Sequence, residues 1–165
     1  MNTAYIYLKL PKFDVYLVLN MRNQIRETKN FGALIDKTIK QIKANYLKTF
    51  KQLNVNITTE QWMIIDCLAE KNTQTQTELA ENSFKNKPTV SRILNLLERK
   101  KMIERTPVKS DMRKFHIQLT EFGQQTHQKL LPEVEALRHK GWDGLNNEDY
   151  NNLERILNVI FKNFD

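Results

Sequence analysis

Cysteine is almost absent from this 165-residue chain, where Cys67 stands alone. One thiol closes no internal disulfide and seeds no thiolate metal cluster, so the chain suits a reducing compartment and is expected to be cytoplasmic. Glycine and proline are scarce, four of each, which argues against a turn-rich β-sandwich and for helices. The histidines, His116, His127 and His139, are too widely spaced to form a local metal-ligand motif. Gly-rich phosphate loops and local nucleophile signatures are also missing, so neither an enzyme nor a cofactor or metal site is expected. Long apolar runs are lacking too. The first twenty residues come nearest to one, but Lys9, Pro11, Lys12 and Asp14 interrupt them far below the ~20 apolar residues of a bilayer span. No membrane partner is expected, and residues 1–30 read as an N-terminal extension ahead of one domain over 31–165.

What is present is a soluble globular composition, 40% hydrophobic and 27% charged, with an uneven distribution of charge. The net charge is +7, and residues 85–116 alone carry ten Lys or Arg against Glu98, Glu104 and Asp111. Residues 58–84 and 117–165 are acidic. Such segregation predicts a surface that faces a polyanion, backed by neutral or acidic structure.

Apolar residues from Phe31 to Leu53 recur with a helical period, and lysines fill the positions between them. Thr58 or Thr59 caps a second helix bearing Trp62, Ile65, Leu68 and Ala69. Thr75, with Glu78 three residues on, has the capping-box spacing and starts a short helix to Asn82. After a brief polar turn, Pro88 lies in the first turn of a further helix predicted to reach about Lys101. Val90, Ile93, Leu94, Leu96 and Leu97 are expected to face inward on it. The period then changes to two: residues from Met102 to Arg105, a turn over 107–111, and alternating Phe115, Ile117 and Leu119 predict a hairpin. Thr120 caps a long helix in which Pro132 predicts a kink, and Asn146 or Asn147 caps a last helix rich in Leu, Ile and Phe.

The predicted fold is therefore mainly α with a small β-hairpin wing: a winged helix-turn-helix over 58–119, with dimerisation helices at 31–53 and 120–165. The long first helix and the Phe-rich last helix carry more apolar residues than one small domain can cover, which points to a partner surface. An α-helix fits the major groove of duplex DNA, with exposed donors near its N-terminus reaching base edges and flanking cations meeting phosphates. The helix opening Lys85-Asn86-Lys87-Pro88-Thr89-Val90-Ser91-Arg92 has that chemistry. Arg92 is the candidate base contact, because a guanidinium can bond a guanine edge twice. Lys85, Lys87 and Lys109 are candidates for phosphate contact. Thr89 and Ser91 fit either DNA contact or helix N-terminal chemistry.

Three stretches resemble the MarR-type transcription regulators: Thr77-Glu78-Leu79-Ala80-Glu81; Lys87 to Arg92 with Leu97 to Lys101; and Ile103-Glu104-Arg105 through Asp111-Met112-Arg113 to Leu119-Thr120-Glu121-Phe122-Gly123. The likeness spans about residues 30–164. It implies a repressor that acts as a homodimer on a pseudo-palindromic operator in double-stranded DNA. It also implies relief by a small-molecule effector bound near the junction of the first, second and fifth helices. By the same resemblance Arg113 enters the minor groove and Asp111 holds its guanidinium, an arginine being the expected probe of a narrow, electronegative groove. Two departures stand out. Ser83-Phe84 replaces the apolar residue and glycine usual in the turn between helices, so a non-glycine must adopt whatever strained conformation that turn needs. Val108-Lys109 replaces an acidic-proline pair in the wing.

Rival readings come from other residues. A winged helix can serve as a protein-interaction module without specific DNA binding. Cys67 among Ile64, Ile65 and Leu68 reads as a structural thiol rather than a redox sensor. Tyr46, Trp62 and Met63 read as core rather than as the lining of a ligand pocket.

Overall fold

Local capping chemistry sets most helix starts. The computed structural model describes residues 30–108 and 111–164, with the side chains of 111–113 outside the description; the expectation for residues 1–29 and that for Lys109 fall outside it. The chain divides into two compact units, residues 1–42 and 43–165.

In the first unit the described residues belong to α1 (Phe31–Gln52). Along it the Asp36 carboxylate pairs with Lys40 at 2.7 Å, one turn away, and Phe31, Leu34, Ile39 and Ile42 stay exposed.

In the second unit Tyr46 and Phe50, from the end of α1, join a core built around α2 (Thr59–Glu70). Thr58 is the N-cap of α2: its hydroxyl accepts from the Gln61 amide, and the Gln61 side chain accepts from the Thr58 amide, which satisfies two otherwise orphaned donors. The same reciprocal box opens α3 (Gln76–Asn82), where the Thr75 hydroxyl accepts from the Glu78 amide and the Glu78 carboxylate accepts from the Thr75 amide at 2.7 Å. That backbone bond, with the Thr75 hydroxyl and Lys71, holds the Glu78 carboxyl down at about 2. Helix α4 (Lys87–Arg99) is capped by Asn86 and carries Pro88 at its second position. It ends two residues before the predicted Lys101, which takes φ +57° in the turn that follows.

Strands β2 (Ile103–Val108) and β3 (Asp111–Leu119) form the predicted antiparallel hairpin. A third strand, β1 (Gln74–Thr75), was not foreseen; it pairs with Ile117 and His116 on the other edge of β3. Gln74 is buried, and its side-chain amide donates to the carbonyls of Cys67 and Lys71 while accepting from Asn82. It thereby ties the end of α2 to α3. Helix α5 (Glu121–Gly141) is assigned as one continuous helix through Pro132, and α6 (Asn147–Lys162) starts at an Asn146 capping box.

The core is a single cluster in which Ile64, Ile65, Leu68, Leu79, Val90, Leu94, Leu97, Ile117, Leu130 and Val134 are at most 1% exposed. Trp62 belongs to it, 6.0 Å from Phe50 and stacked on His127 at 5.1 Å. Met63 does not: it is 40% exposed, because it follows Trp62 by one helical step and so points away from the buried face. Helix α6 contributes no buried residue, and Tyr150, Leu153, Ile156, Leu157 and Phe161 are all exposed along it.

At Gly123 the backbone of α5 closely approaches that of Met102. A Cβ there would lie 2.0 Å from the Met102 carbonyl oxygen. Gly123→Ala is expected to lower unfolding free energy by roughly 2–4 kcal/mol, because backbone rather than a flexible side chain has to yield; a midpoint in urea unchanged from the parent would refute the close approach. The turn after α3 carries a second strain: Phe84 has φ +51°, a left-handed conformation unfavourable for a bulky residue. Phe84→Gly is expected to raise stability by about 0.5–1 kcal/mol, read as a higher denaturation midpoint.

Candidate nucleic-acid interface

Helix α4 presents two contrasting faces. Val90, Ile93, Leu94 and Leu97 anchor its inner side, with exposures from 0 to 7%. Lys87, Pro88 and Arg92 are exposed, while Lys85, Thr89 and Ser91 are half-buried. Leu96, expected to face inward, is 44% exposed. Seven residues beyond Thr89 and four beyond Arg92, it lies on their side of the helix, off the buried stripe.

The N-terminus of α4 is held in place from two directions. The Asn86 side chain accepts from the Thr89 amide at 2.9 Å, and the Gln76 side chain donates to the Lys87 carbonyl at 3.2 Å. Thr89 therefore contributes its backbone to the cap.

The hairpin is tied to the same helix. The Arg105 guanidinium, on β2, donates to Asn95 at 2.8 Å and lies 3.5 Å from the Glu98 carboxylate, both on α4. Between α4, the start of α3 and β3 lies a groove of about 450 Å³ lined by Lys87, Arg105 and Lys114 together with Thr75, Thr77 and Phe115. Helix and hairpin cations thus border one shared depression. Toward the tip the ladder becomes irregular: Pro107 pairs with Phe115 but Val108 pairs with Asp111, so Met112, Arg113 and Lys114 face a single step of β2. Such bulges re-aim side chains and increase local twist. The backbones of Asp111 and Arg113 lie in this segment; the expected contact between their side chains lies outside the described residues, as does Lys109.

Not every cation of the basic stretch faces outward. The Lys100 ammonium donates to the Asn56 carbonyl at 2.5 Å and to the Gln61 side chain at 3.0 Å, and burial pushes its pKa below the ordinary lysine value. Arg105, as described, is committed to α4. Sequence counting alone assigns both to the polyanion-facing surface, since their partners lie ten to forty-four positions away.

A further polar cluster escaped sequence reasoning. Asp66 on α2 accepts from Arg138 at 2.8 Å and lies 2.9 Å from the His127 ring nitrogen, both on α5. It is an interhelix clasp whose members are 61 and 72 positions apart, beyond any local pattern. Cys67 is half-buried, and burial, with Glu70 and Asp66 nearby, pushes its thiol pKa up. That is the reverse of a reactive thiolate. Among the described residues no group of His, Cys, Asp or Glu is placed to hold a metal ion, and no helix is long and apolar enough to cross a membrane.

Comparison with known proteins agrees with this architecture. Residues 57–115 match the model of the MarR family. The chain is 29% identical over 102 residues to the HTH-type transcriptional regulator FarR of Neisseria gonorrhoeae, an alignment taking in 62% of each protein, so the match spans about three fifths of that relative. Among solved structures, a mutant MarR of Escherichia coli complexed with operator DNA superposes with a TM-score of 0.69 at 21% identity, covering 81% of this chain and 95% of that one. BpsR of Bordetella bronchiseptica, whose DNA binding is regulated by 6-hydroxynicotinic acid, superposes with a TM-score of 0.69 at 18% identity, covering 79% and 91%. With the winged-helix architecture in place, residues 57–115 match the MarR family, and the chain is similar in fold to its winged helix-turn-helix members.

Proposed function

We propose that this protein is a sequence-specific repressor, cytoplasmic and homodimeric, that binds a pseudo-palindromic operator in double-stranded DNA and is released by a small molecule. The observation that carries this reading is the shared groove: Lys87 of α4 and Lys114 of β3 line one depression, and Arg92 is exposed on the same helix as Lys87. A helix and an adjoining hairpin with cations on a common surface match the major groove and its neighbouring phosphates. In this reading Arg92 reads base edges, with Thr89 and Ser91 beside it. Lys85, Lys87 and Lys109 meet phosphates, Pro88 shapes the helix start, and Arg113, held by Asp111, probes the minor groove.

Dimerisation is assigned to residues 31–53 and 120–165. Helix α6 supports it, because its apolar side, including Leu153, Ile156 and Phe161, is exposed in the single chain, and a stripe of that kind is stable in water only when covered. For the effector, expected near the junction of the first, second and fifth helices, a hollow of about 550 Å³ borders two of these, α2 and α5, together with β3, and is lined by Leu68, Ala69, Asn72, Gln118, Leu119 and His127 rather than by α1. It opens beside the Asp66–His127 contact, so a ligand wedged there bears on the clasp between α2 and α5. BpsR, with its ligand-regulated DNA binding, is the precedent for such control.

Arg113→Ala is expected to weaken binding to a selected operator by ~1–3 kcal/mol while leaving the dimer folded; unchanged affinity at fixed salt removes the wing assignment. Ile156→Asp is expected to shift the protein from dimer to monomer in sedimentation velocity, and a dimer of parental stability would remove α6 from the interface.

A further inference from the structure

The turn between α3 and α4 holds a residue that the fold does not need. Its backbone is closed by three bonds, from the Ser83 amide to the Leu79 carbonyl at 3.0 Å, the Phe84 amide to Glu81 at 3.2 Å and the Lys85 amide to Ala80 at 3.0 Å, and the Ser83 hydroxyl also donates to the Leu79 carbonyl. This is the left-handed closure at which glycine normally ends a helix. Phe84 occupies it at φ +51° with 95% of its surface exposed. The ring therefore brings strain and an uncovered apolar surface, and almost no packing in return. Strained, over-determined backbone positions concentrate at functional sites.

We propose that Phe84 is a DNA contact, its ring packing on the apolar ledges of the major groove, thymine methyls or deoxyribose edges, as α4 enters. The inference rests on the reading of the chain as a DNA-binding protein. Position is the first argument: Phe84 is followed directly by Lys85, the Asn86 cap and exposed Lys87, so it lies at the leading end of the helix that enters the groove. Charge is the second. Lys85 and exposed Lys87 follow Phe84 within three positions, so a second copy of the same patch would repel it, whereas a polyanion offering apolar surface between its charges matches both features. The outward placement of Leu96 on the same helix as Arg92 adds apolar character farther along that face.

The test uses the full-length protein and a duplex selected with it from random sequence. Phe84→Gly and Phe84→Asn both suit a left-handed residue and keep the turn. Each is expected to remain folded, to bind about 10-fold more weakly, and to keep the parental salt dependence, because an apolar contact releases no counterion. Phe84→Tyr is expected to stay within about 2-fold, since its ring offers the same faces. Lys87→Ala serves as the contrast, lowering the salt slope by about one. Replacing single thymines by uracil locates the ring. A loss in the parent that is absent in Phe84→Gly places it on a methyl; weaker binding by Phe84→Gly without any uracil effect places it on a sugar edge. Gly and Asn variants that bind within about 2-fold of a sequence-selective parent overturn this inference alone, whereas a parent with no preference among duplexes overturns the DNA reading and this inference with it.

Discussion

The relation between helix α4 and its hairpin depends on the approach of Gly123 to the Met102 carbonyl. Three chain segments meet at that point. The Met102 carbonyl accepts from the Thr120 amide at 3.0 Å, the Thr120 hydroxyl donates to the Lys101 carbonyl at 2.6 Å, and the same hydroxyl caps α5 by accepting from the Gly123 amide at 3.1 Å. Buried Ile103 and Leu119 pair across the base of the hairpin immediately beside it. The end of α4, the foot of the wing and the start of α5 are thus fastened within a few ångströms, and only a residue without a side chain permits it. This gives the Leu119-Thr120-Glu121-Phe122-Gly123 run its physical content: one apolar anchor, one cap and one gap.

With that joint closed, the basic segment separates into two kinds of cation. Lys100 and Arg105 are turned toward protein acceptors, where they hold the 56–61 region and the hairpin against α4. Lys87, Arg92 and Lys114 remain at the surface. The first group costs desolvation, seen in the lowered Lys100 pKa, and contributes shape; the second contributes the field that attracts a polyanion. A fixed frame beneath an exposed fringe of charge suits groove recognition, since phosphate contacts position a protein while a few fixed donors read the bases.

Features set by neighbouring residues were legible in the sequence. The cap at Thr58 or Thr59, the capping box at Thr75, the cap at Asn146 or Asn147, the switch of period at Met102 and the uncovered face of α6 all follow from local spacing. So did the awkward turn at Phe84, because glycine is the residue that such a closure favours. Other features left no local trace. Strand β1 is two residues long and has no period to detect. The Asp66–His127–Arg138 clasp and the Lys100 contacts join distant positions. Leu96 and Met63 are apolar by composition yet sit just off their buried stripes, where a small rotation about the helix axis decides exposure.

The central claim is that two copies of one helix-and-hairpin surface meet successive turns of a duplex. Enrichment of bound sites from a random duplex library with the purified full-length protein tests it most directly. The account predicts an inverted repeat whose half-sites are centred about 10–10.5 base pairs apart. Recovery of no enriched sequence, or of a single unpaired motif bound by one chain, would contradict it.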